Sequence, residues 1–135
     1  FFSSRRRHTR SCLVSWARDV YKRQETASVI NEAKLHNRRI IAVGTTVVRA
    51  LESCAQEKGE KPTVIPGEGR TSLYIFPGYK FKIVDALITN FHTPYSTNLI
   101  LVSTFCGLEL TKRAYFYAIK REFRFFSFGD AMFIK

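Results

Sequence analysis

The sequence has 135 residues and a mass of 15.6 kDa, enough for one domain with a single hydrophobic core. Its 45% hydrophobic and 24% charged residues are ordinary globular values and exclude wholesale disorder. The formal net charge of +11, taken alone, predicts a phosphate-rich partner such as nucleic acid or an anionic membrane surface.

Much of this charge lies in residues 1–24, a leader with seven basic residues and one acidic residue. The sequence begins with Phe rather than Met, which predicts a fragment. The leader can be a flexible arm that binds nucleic acid, an organelle transit peptide, or non-native sequence translated from a library adapter. We favour the third interpretation, because the leader resembles read-through segments of environmental sequencing reads, and we take residues 25–135 as the body.

Cysteine spacing and hydropathy bear on the redox compartment, on membrane insertion and on metal binding. Cys12, Cys54 and Cys106 are odd in number and widely spaced, which favours a reducing compartment over a disulfide framework. The longest mainly apolar stretch, residues 98–110, is shorter than the roughly 20 residues that span a bilayer. The cysteines and histidines lack metal-ligand spacing, so the sequence predicts no metal site.

The body begins with an alternation of helix and strand that is typical of α/β proteins. Apolar residues at every third position of residues 27–33 predict an amphipathic helix that ends near residue 38. Residues 40–43 predict a short buried parallel strand. Thr45 or Thr46 is then expected to cap a helix that fades near residue 58.

The remaining elements follow from turn residues and apolar runs. Residues 71–76 and 80–84 are strand-like runs on either side of a Pro-Gly pair that suits a type II turn, and residues 86–91 predict a further strand. Thr93 or Ser96 is expected to open a helix that Gly107 stops. A second helix over about residues 110–123 and a strand around residues 131–134 complete the prediction.

Two stretches carry candidate chemistry at the ends of predicted strands. Gly44, Thr45 and Thr46 lead into a helix N-terminus, where free N–H groups and the helix dipole favour an anion, and Arg49 adds a positive charge one turn later. The alternative interpretation is an ordinary strand-to-helix turn in which Arg49 forms a surface ion pair with Glu52 or Glu57. The pattern alone favours it, because no P-loop lysine or G-x-G-x-x-G follows.

The second stretch holds Asp85, Asn90 and His92 within eight residues. A carboxylate, a carboxamide and an imidazole in a loop that leaves a sheet can form an acid–base cluster. Local turn bonding accounts for the same residues equally well. Residues 123–128 interleave phenylalanines with an arginine, a pattern that can stack on bases but more often packs in a core.

Three ordered segments carry a family resemblance. Residues 40–53 read I-I-A-V-G-T-T-V-V-R-A-L-E-S, residues 77–97 read P-G-Y-K-F-K-I-V-D-A-L-I-T-N-F-H-T-P-Y-S-T, and residues 117–134 end in R-F-F-S-F-G-D-A-M-F-I. Together they resemble the C-terminal part of the S-adenosylmethionine:tRNA ribosyltransferase-isomerases of queuosine biosynthesis. The resemblance implies an α/β fold, a mixed sheet with flanking helices, as a fragment of the larger domain of a two-domain enzyme.

The resemblance also implies a function. Enzymes of this family transfer the ribosyl group of S-adenosylmethionine onto 7-aminomethyl-7-deazaguanine at the tRNA wobble position. They rearrange it to give epoxyqueuosine and release adenine and methionine. The expected partners are therefore S-adenosylmethionine and tRNA, and the expected protein is a cytoplasmic monomer without a metal or a membrane segment. The isolated chain is expected to be inactive, and the alternatives are a non-catalytic tRNA-binding module or an inert truncation product.

Site roles follow from the resemblance as hypotheses. Asp85 and His92 would serve acid–base and orienting roles, and Asn90 would position them. S-adenosylmethionine or a tRNA phosphate would contact a second group, which consists of Gly44, Thr45, Thr46, Arg49 and Asp130.

Overall fold

The computed structural model describes residues 24–57, 59–67, 71–127 and 129–135. The leader therefore lies outside the described residues except for Gln24, which begins the first helix. The helices are α1 (Gln24–Leu35), α2 (Thr45–Ser53), α3 (Thr97–Cys106) and α4 (Leu108–Lys120). The strands are β1 (Ile41–Val43), β2 (Ala55–Gln56), β3 (Thr63–Val64), β4 (Ala86–Asn90) and β5 (Ala131–Ile134).

The main sheet is mixed and has the strand order β1-β4-β5. β1 pairs with β4 in parallel, with Ala42 opposite Leu87, and β5 pairs with β4 antiparallel, with Ile134 also opposite Leu87. β2 and β3 form a separate antiparallel pair. A mixed sheet with flanking helices confirms the predicted α/β fold.

The core lies on one face of this sheet. Successive strand residues point to opposite faces, so Ala42, Leu87 and Ile134 share a side, and all three are buried. α2 contacts β1 and β4 and contributes Val48 and Leu51 to the same cluster. α3 adds buried residues from its middle turns, so helices and strands meet in one apolar core.

The other face of the sheet corrects one expectation. Residues 40–43 were expected to form a fully buried strand, but Ile41 and Val43 are 44% and 39% exposed, and Phe133 on β5 is 54% exposed. An apolar run fits a strand that is covered on both faces. In β1, the face with Ala42 is covered, whereas the face with Ile41 and Val43 is partly open.

The predicted strands at residues 71–76 and 80–84 are wrong. The turn between them does form, with Tyr79 N–H donating to Phe76 O at 3.0 Å and Gly78 at a φ of 101°. The flanking segments contain no strand in the described chain. The carboxylate of Glu52 on α2 accepts the N–H groups of residues 82–84, at 2.9 to 3.0 Å, where a neighbouring strand would otherwise pair.

Candidate active site

The parallel pairing of β1 and β4 brings two predicted groups of site residues to one edge of the sheet. β1 ends at Val43 before Gly44, and β4 ends at Asn90, two residues before His92. Because β5 runs antiparallel, it starts at the same edge, where Ala131 pairs with Asn90. We call this region the carboxyl edge. In open α/β sheets, ligands bind outside the carboxyl ends of the strands.

Arg49 lies at the centre of the contacts at this edge. One of its terminal guanidinium nitrogens donates to Thr97 Oγ1 at 3.0 Å and to Asn98 Oδ1 at 3.1 Å. Its Nε is fully buried and has no hydrogen-bond partner among the described residues. A buried donor without an acceptor is costly, and each such case in a native structure needs an explanation. Thr97 and Asn98 therefore orient the guanidinium, and Nε keeps its hydrogen without an acceptor among the described residues.

The turn before α2 corrects the predicted cap. Gly44 is the N-cap, with a φ of 98° that a side chain would strain, and no side chain caps the helix. Thr45 is buried, and its hydroxyl donates to Asn98 Oδ1 at 3.2 Å, whereas Thr46 is exposed. The first N–H groups of α2 therefore meet no side-chain acceptor from the cap residue, so the N-terminus keeps its preference for an anion.

His92 is half-buried beside the end of β4. Its Nε2 lies 3.0 Å from Thr89 Oγ1, and its backbone N–H donates to the Tyr115 hydroxyl oxygen at 2.9 Å. Burial and, to a lesser degree, the positive charge of Arg49 lower the pKa of His92 below its ordinary value. A lowered pKa favours the neutral imidazole near pH 7, which can accept a proton.

Asn90 and Asp130 lie at the same edge and hold loop backbone. Asn90 Nδ2 donates to the carbonyl oxygens of Gly129 and Asp130 at 3.4 and 3.5 Å. Asp130 Oδ2 accepts the N–H of Arg124 at 2.8 Å, and Asp130 N–H donates back to Arg124 O at the same distance. These contacts fix the connection that leads into β5.

Asp85 does not join His92 and Asn90, so the predicted three-residue cluster is wrong. It precedes β4, whose five residues separate the two ends by about 16 Å. Its carboxylate accepts from Lys34 Nζ at 2.9 Å and from Ile40 N–H at 2.7 Å. These bonds tie α1 and the start of β1 to the opposite edge of the sheet, which we call the amino edge.

The amino edge also holds Glu52, which was considered as a surface partner of Arg49 but is buried and bonds other groups. This residue is 4% exposed, and its carboxylate accepts from three backbone N–H groups and from the Tyr79 hydroxyl. Burial, followed by the charge of Glu52, raises the pKa of Tyr79 to about 12. A cavity of about 780 Å³ opens beside these residues and is lined in part by Cys54, Leu73 and Lys82. The carboxylate of Glu52 and the hydroxyl of Tyr79 are bonded within the fold, so we place the candidate site at the other edge.

The described residues lack two kinds of feature that would extend the site. They contain no group of three or more His, Cys, Asp or Glu residues placed to hold a metal ion. They also include no helix that is long and apolar enough to cross a membrane.

Comparison with known proteins identifies the family. The family model of the queuosine biosynthesis proteins matches residues 18–134. The chain belongs to this family. The match begins before residue 25 and thus includes part of the segment that we assigned to the leader.

Individual relatives agree with the family match. An S-adenosylmethionine:tRNA ribosyltransferase-isomerase from Natranaerobius thermophilus is 57% identical over 112 residues, which are 83% of this chain and 32% of the relative. One of the same name from Aromatoleum aromaticum is 55% identical over 82% of this chain and 31% of its own length. The chain thus spans about a third of the length of these relatives.

A solved structure supports the fold. The S-adenosylmethionine tRNA ribosyltransferase from Thermotoga maritima superposes with a TM-score of 0.72 and 49% sequence identity. The superposition covers 82% of this chain and 38% of the Thermotoga maritima chain. The described fold therefore corresponds to a part of that solved chain.

Sequence reasoning missed two side chains of this family member's carboxyl edge, Thr97 and Asn98. They lie in the first turn of α3, directly after the N-cap Ser96, whose hydroxyl oxygen accepts the Leu99 N–H at 3.2 Å. A polar pair at the start of an otherwise apolar helix was the available signal. Both side chains accept from Arg49, so α3 orients the guanidinium.

Proposed function

We propose that this chain supplies the S-adenosylmethionine site of a tRNA ribosyltransferase-isomerase. The whole protein would move the ribosyl group of S-adenosylmethionine onto 7-aminomethyl-7-deazaguanine at the tRNA wobble position. The products would be epoxyqueuosine, adenine and methionine. The observation that carries the proposal is the buried, unpaired Nε of Arg49 at the N-terminus of α2. The names of the relatives give the co-substrate and the tRNA.

The donor set fits the carboxylate of the methionyl group. Arg49 Nε is a charged donor without an acceptor among the described residues, and the α2 N-terminus places partial positive charge nearby. Gly44 adds no side chain, and a Cβ built there has no atom within 4 Å, so the space above the turn is open. Thr97 and Asn98 hold Arg49 from the protein side, and Thr45 donates to the same Asn98 oxygen.

His92 is the proposed general base. The sulfonium of S-adenosylmethionine acidifies the adjacent ribose carbon, and a neutral imidazole can take that proton. With its proton on Nε2, His92 donates to Thr89 Oγ1 and presents the lone pair of Nδ1. Asn90 and Asp130 shape the wall of the site by fixing the connection into β5. Asp85 stabilises the amino edge and takes no part in this step.

The setting follows from the substrates. We propose a cytoplasmic enzyme that acts on tRNA as a monomer. The isolated chain is expected to bind S-adenosylmethionine without turnover, because it spans about a third of its relatives.

A chimaera tests the site in a whole enzyme. Residues 25–135 replace the matching segment of the Natranaerobius thermophilus relative, and the Kd for S-adenosylmethionine is measured by isothermal titration calorimetry beside the rate of adenine release. Arg49→Met should raise the Kd for S-adenosylmethionine by about 10- to 100-fold, the effect of losing a charged hydrogen bond. Arg113→Met, which removes an exposed arginine from α4, is the matched control. Unchanged affinity in Arg49→Met would remove the carboxylate assignment.

A further inference from the structure

Among the residues that the structure describes, four non-glycine residues have a positive φ, and two of them are explained by helix ends. Asn37 and Glu122 follow α1 and α4, where the next residue donates back to a carbonyl five positions earlier, at 2.8 and 2.9 Å. This is the usual left-handed helix C-terminus. The other two, Tyr95 and Phe126, are aromatic and do not follow a helix. Bulky residues rarely adopt this conformation, and such outliers cluster at functional sites.

Tyr95 is the most exposed large hydrophobic residue described, at 103% of its reference area. Its φ is 61°, and it lies between Pro94 and the N-cap Ser96, three residues after His92. Pro94 and the cap of α3 hold the backbone on both sides. A strained backbone therefore presents an exposed phenol ring at the carboxyl edge.

Phe126 is presented beside the same loop. Its φ is 67°, its side chain is 58% exposed, and its N–H donates to Phe91 O at 3.0 Å. Tyr95 is only four positions after Phe91, so the backbones of Tyr95 and Phe126 lie within about 14 Å plus the length of one hydrogen bond. Phe125 packs against Phe91 and Tyr115, with ring centroids 5.3 and 5.9 Å apart. The predicted aromatic run is therefore divided between Phe125, which packs with other rings, and Phe126, which faces outward.

The surroundings of Phe126 carry positive charge. Lys120, Arg121 and Arg124 are exposed, and Glu122 is the one acidic residue among residues 120–127. Exposed rings next to exposed cations match a partner with flat π-faces and phosphates, and single-stranded nucleic acid has both.

We propose that Tyr95 and Phe126 form an aromatic platform that stacks with unpaired bases of RNA. The choice of RNA rests on the proposed function, because the relatives are named for tRNA. Stacking explains why strained backbone holds both rings in solvent, and Arg124 supplies the phosphate contact. The platform binds nucleic acid and is distinct from the Arg49 contact to S-adenosylmethionine.

Fluorescence anisotropy with the full 135-residue chain tests this platform. The first labelled RNA is a hairpin with an unpaired loop, and the second is a blunt duplex of the same base composition. The wild-type chain should bind the hairpin more tightly than the duplex. Tyr95→Ala and Phe126→Ala should each weaken hairpin binding by about 5- to 100-fold and leave duplex binding unchanged. Tyr95→Phe, which keeps the ring, should bind like the wild type.

Two further variants separate stacking from folding. Tyr95→Gly removes the ring and relieves the positive φ, so it should melt at or above the wild-type temperature and still lose hairpin affinity. Phe116→Ala removes a ring from α4 that is 71% exposed and should leave hairpin binding unchanged. Wild-type affinity in Tyr95→Gly, equal binding of hairpin and duplex, or no RNA binding by the wild-type chain would overturn the proposal.

The outcomes also separate this platform from the proposed function. Loss of hairpin binding in the Tyr95 variants, with S-adenosylmethionine affinity unaffected by Arg49→Met, supports the platform and removes the co-substrate site. The reverse result removes the platform and keeps the co-substrate site.

Discussion

The two edges of the main sheet use charged side chains in opposite ways. At the amino edge, the carboxylates of Glu52 and Asp85 accept hydrogen bonds from surrounding backbone and side-chain donors. At the carboxyl edge, Arg49 keeps a buried donor without an acceptor, and the imidazole of His92 has a lowered pKa. The same strands contribute to both edges. The difference in hydrogen bonding therefore lies in the residues that flank the strands and in the two ends of α2.

This contrast separates carboxylates whose hydrogen bonds stabilise the fold from the Arg49 donor that we propose binds a ligand. A buried polar network that is fully bonded makes a unique structure rigid, whereas an unpaired buried donor costs stability unless something binds it. The amino edge therefore predicts large losses of stability on mutation. The carboxyl edge predicts losses of binding with little loss of stability.

The largest expected effect is at Glu52. Glu52→Gln keeps the shape of the side chain but replaces one acceptor oxygen with an NH₂ group, which then faces backbone donors. Loss of these buried bonds should lower the free energy of unfolding by about 3 kcal/mol, measured by urea denaturation of the full chain. Glu57→Gln is the matched control, because Glu57 is exposed and its carboxylate lies 3.5 Å from Lys82 Nζ. Its expected loss of unfolding free energy is below about 1 kcal/mol. Equal losses in both variants would contradict the contrast.

Asp85→Asn should cause the second-largest loss of stability. The substitution removes the charge that pairs with Lys34 and weakens the bond from Ile40 N–H, for a loss of about 1 kcal/mol in the free energy of unfolding. Adenine release by the folded chimaera should stay at the wild-type rate, because Asp85 lies at the far end of β4. A tenfold loss of turnover at full stability would place Asp85 in the mechanism after all.

The smallest expected effect is the pH dependence due to His92. Its pKa is lowered in the fold, so the unfolded chain, with a His pKa of about 6.5, binds the proton first as the pH falls. The stabilising contribution of the neutral ring is thus present above about pH 6.5 and is lost as the pH falls through the pKa of the folded protein. His92→Gln lacks this loss. Its urea midpoint should fall less than that of the wild type between about pH 7.5 and pH 5.5.

Local sequence pattern predicted the helices and strands that depend on contacts between residues close in sequence or on a periodic apolar face. α1, β4, β5 and the Ser96 cap of α3 follow from apolar spacing and from a capping side chain. Residues 80–84 also alternate, and the sequence alone predicts a strand there. Glu52 occupies their N–H groups from about 30 positions away, and no local pattern contains that information.

The candidate site was also predictable only in part, because its residues come together through the pairing of distant strands. Gly44 and His92 follow strands that pair in parallel, so a correct topology brings them to one edge. Asp85 has suitable chemistry and is close to His92 in sequence. However, β4 lies between them, so Asp85 is at the amino edge and His92 is at the carboxyl edge. Asn98 carries no chemical signature of its own and matters only through Thr45 and Arg49.

The tight packing of Gly129 has a consequence for how the protein tolerates sequence change. A Cβ at this position would lie 2.2 Å from Arg124 O, and the obstructing atoms are backbone, so no rotamer change relieves the overlap. Even alanine must therefore open the Arg124–Asp130 connection that presents Phe126. In a saturation library, position 129 should therefore accept glycine alone. Its tolerance to mutation would be as strict as that of a catalytic residue, although Gly129 has no side chain that could take part in a reaction.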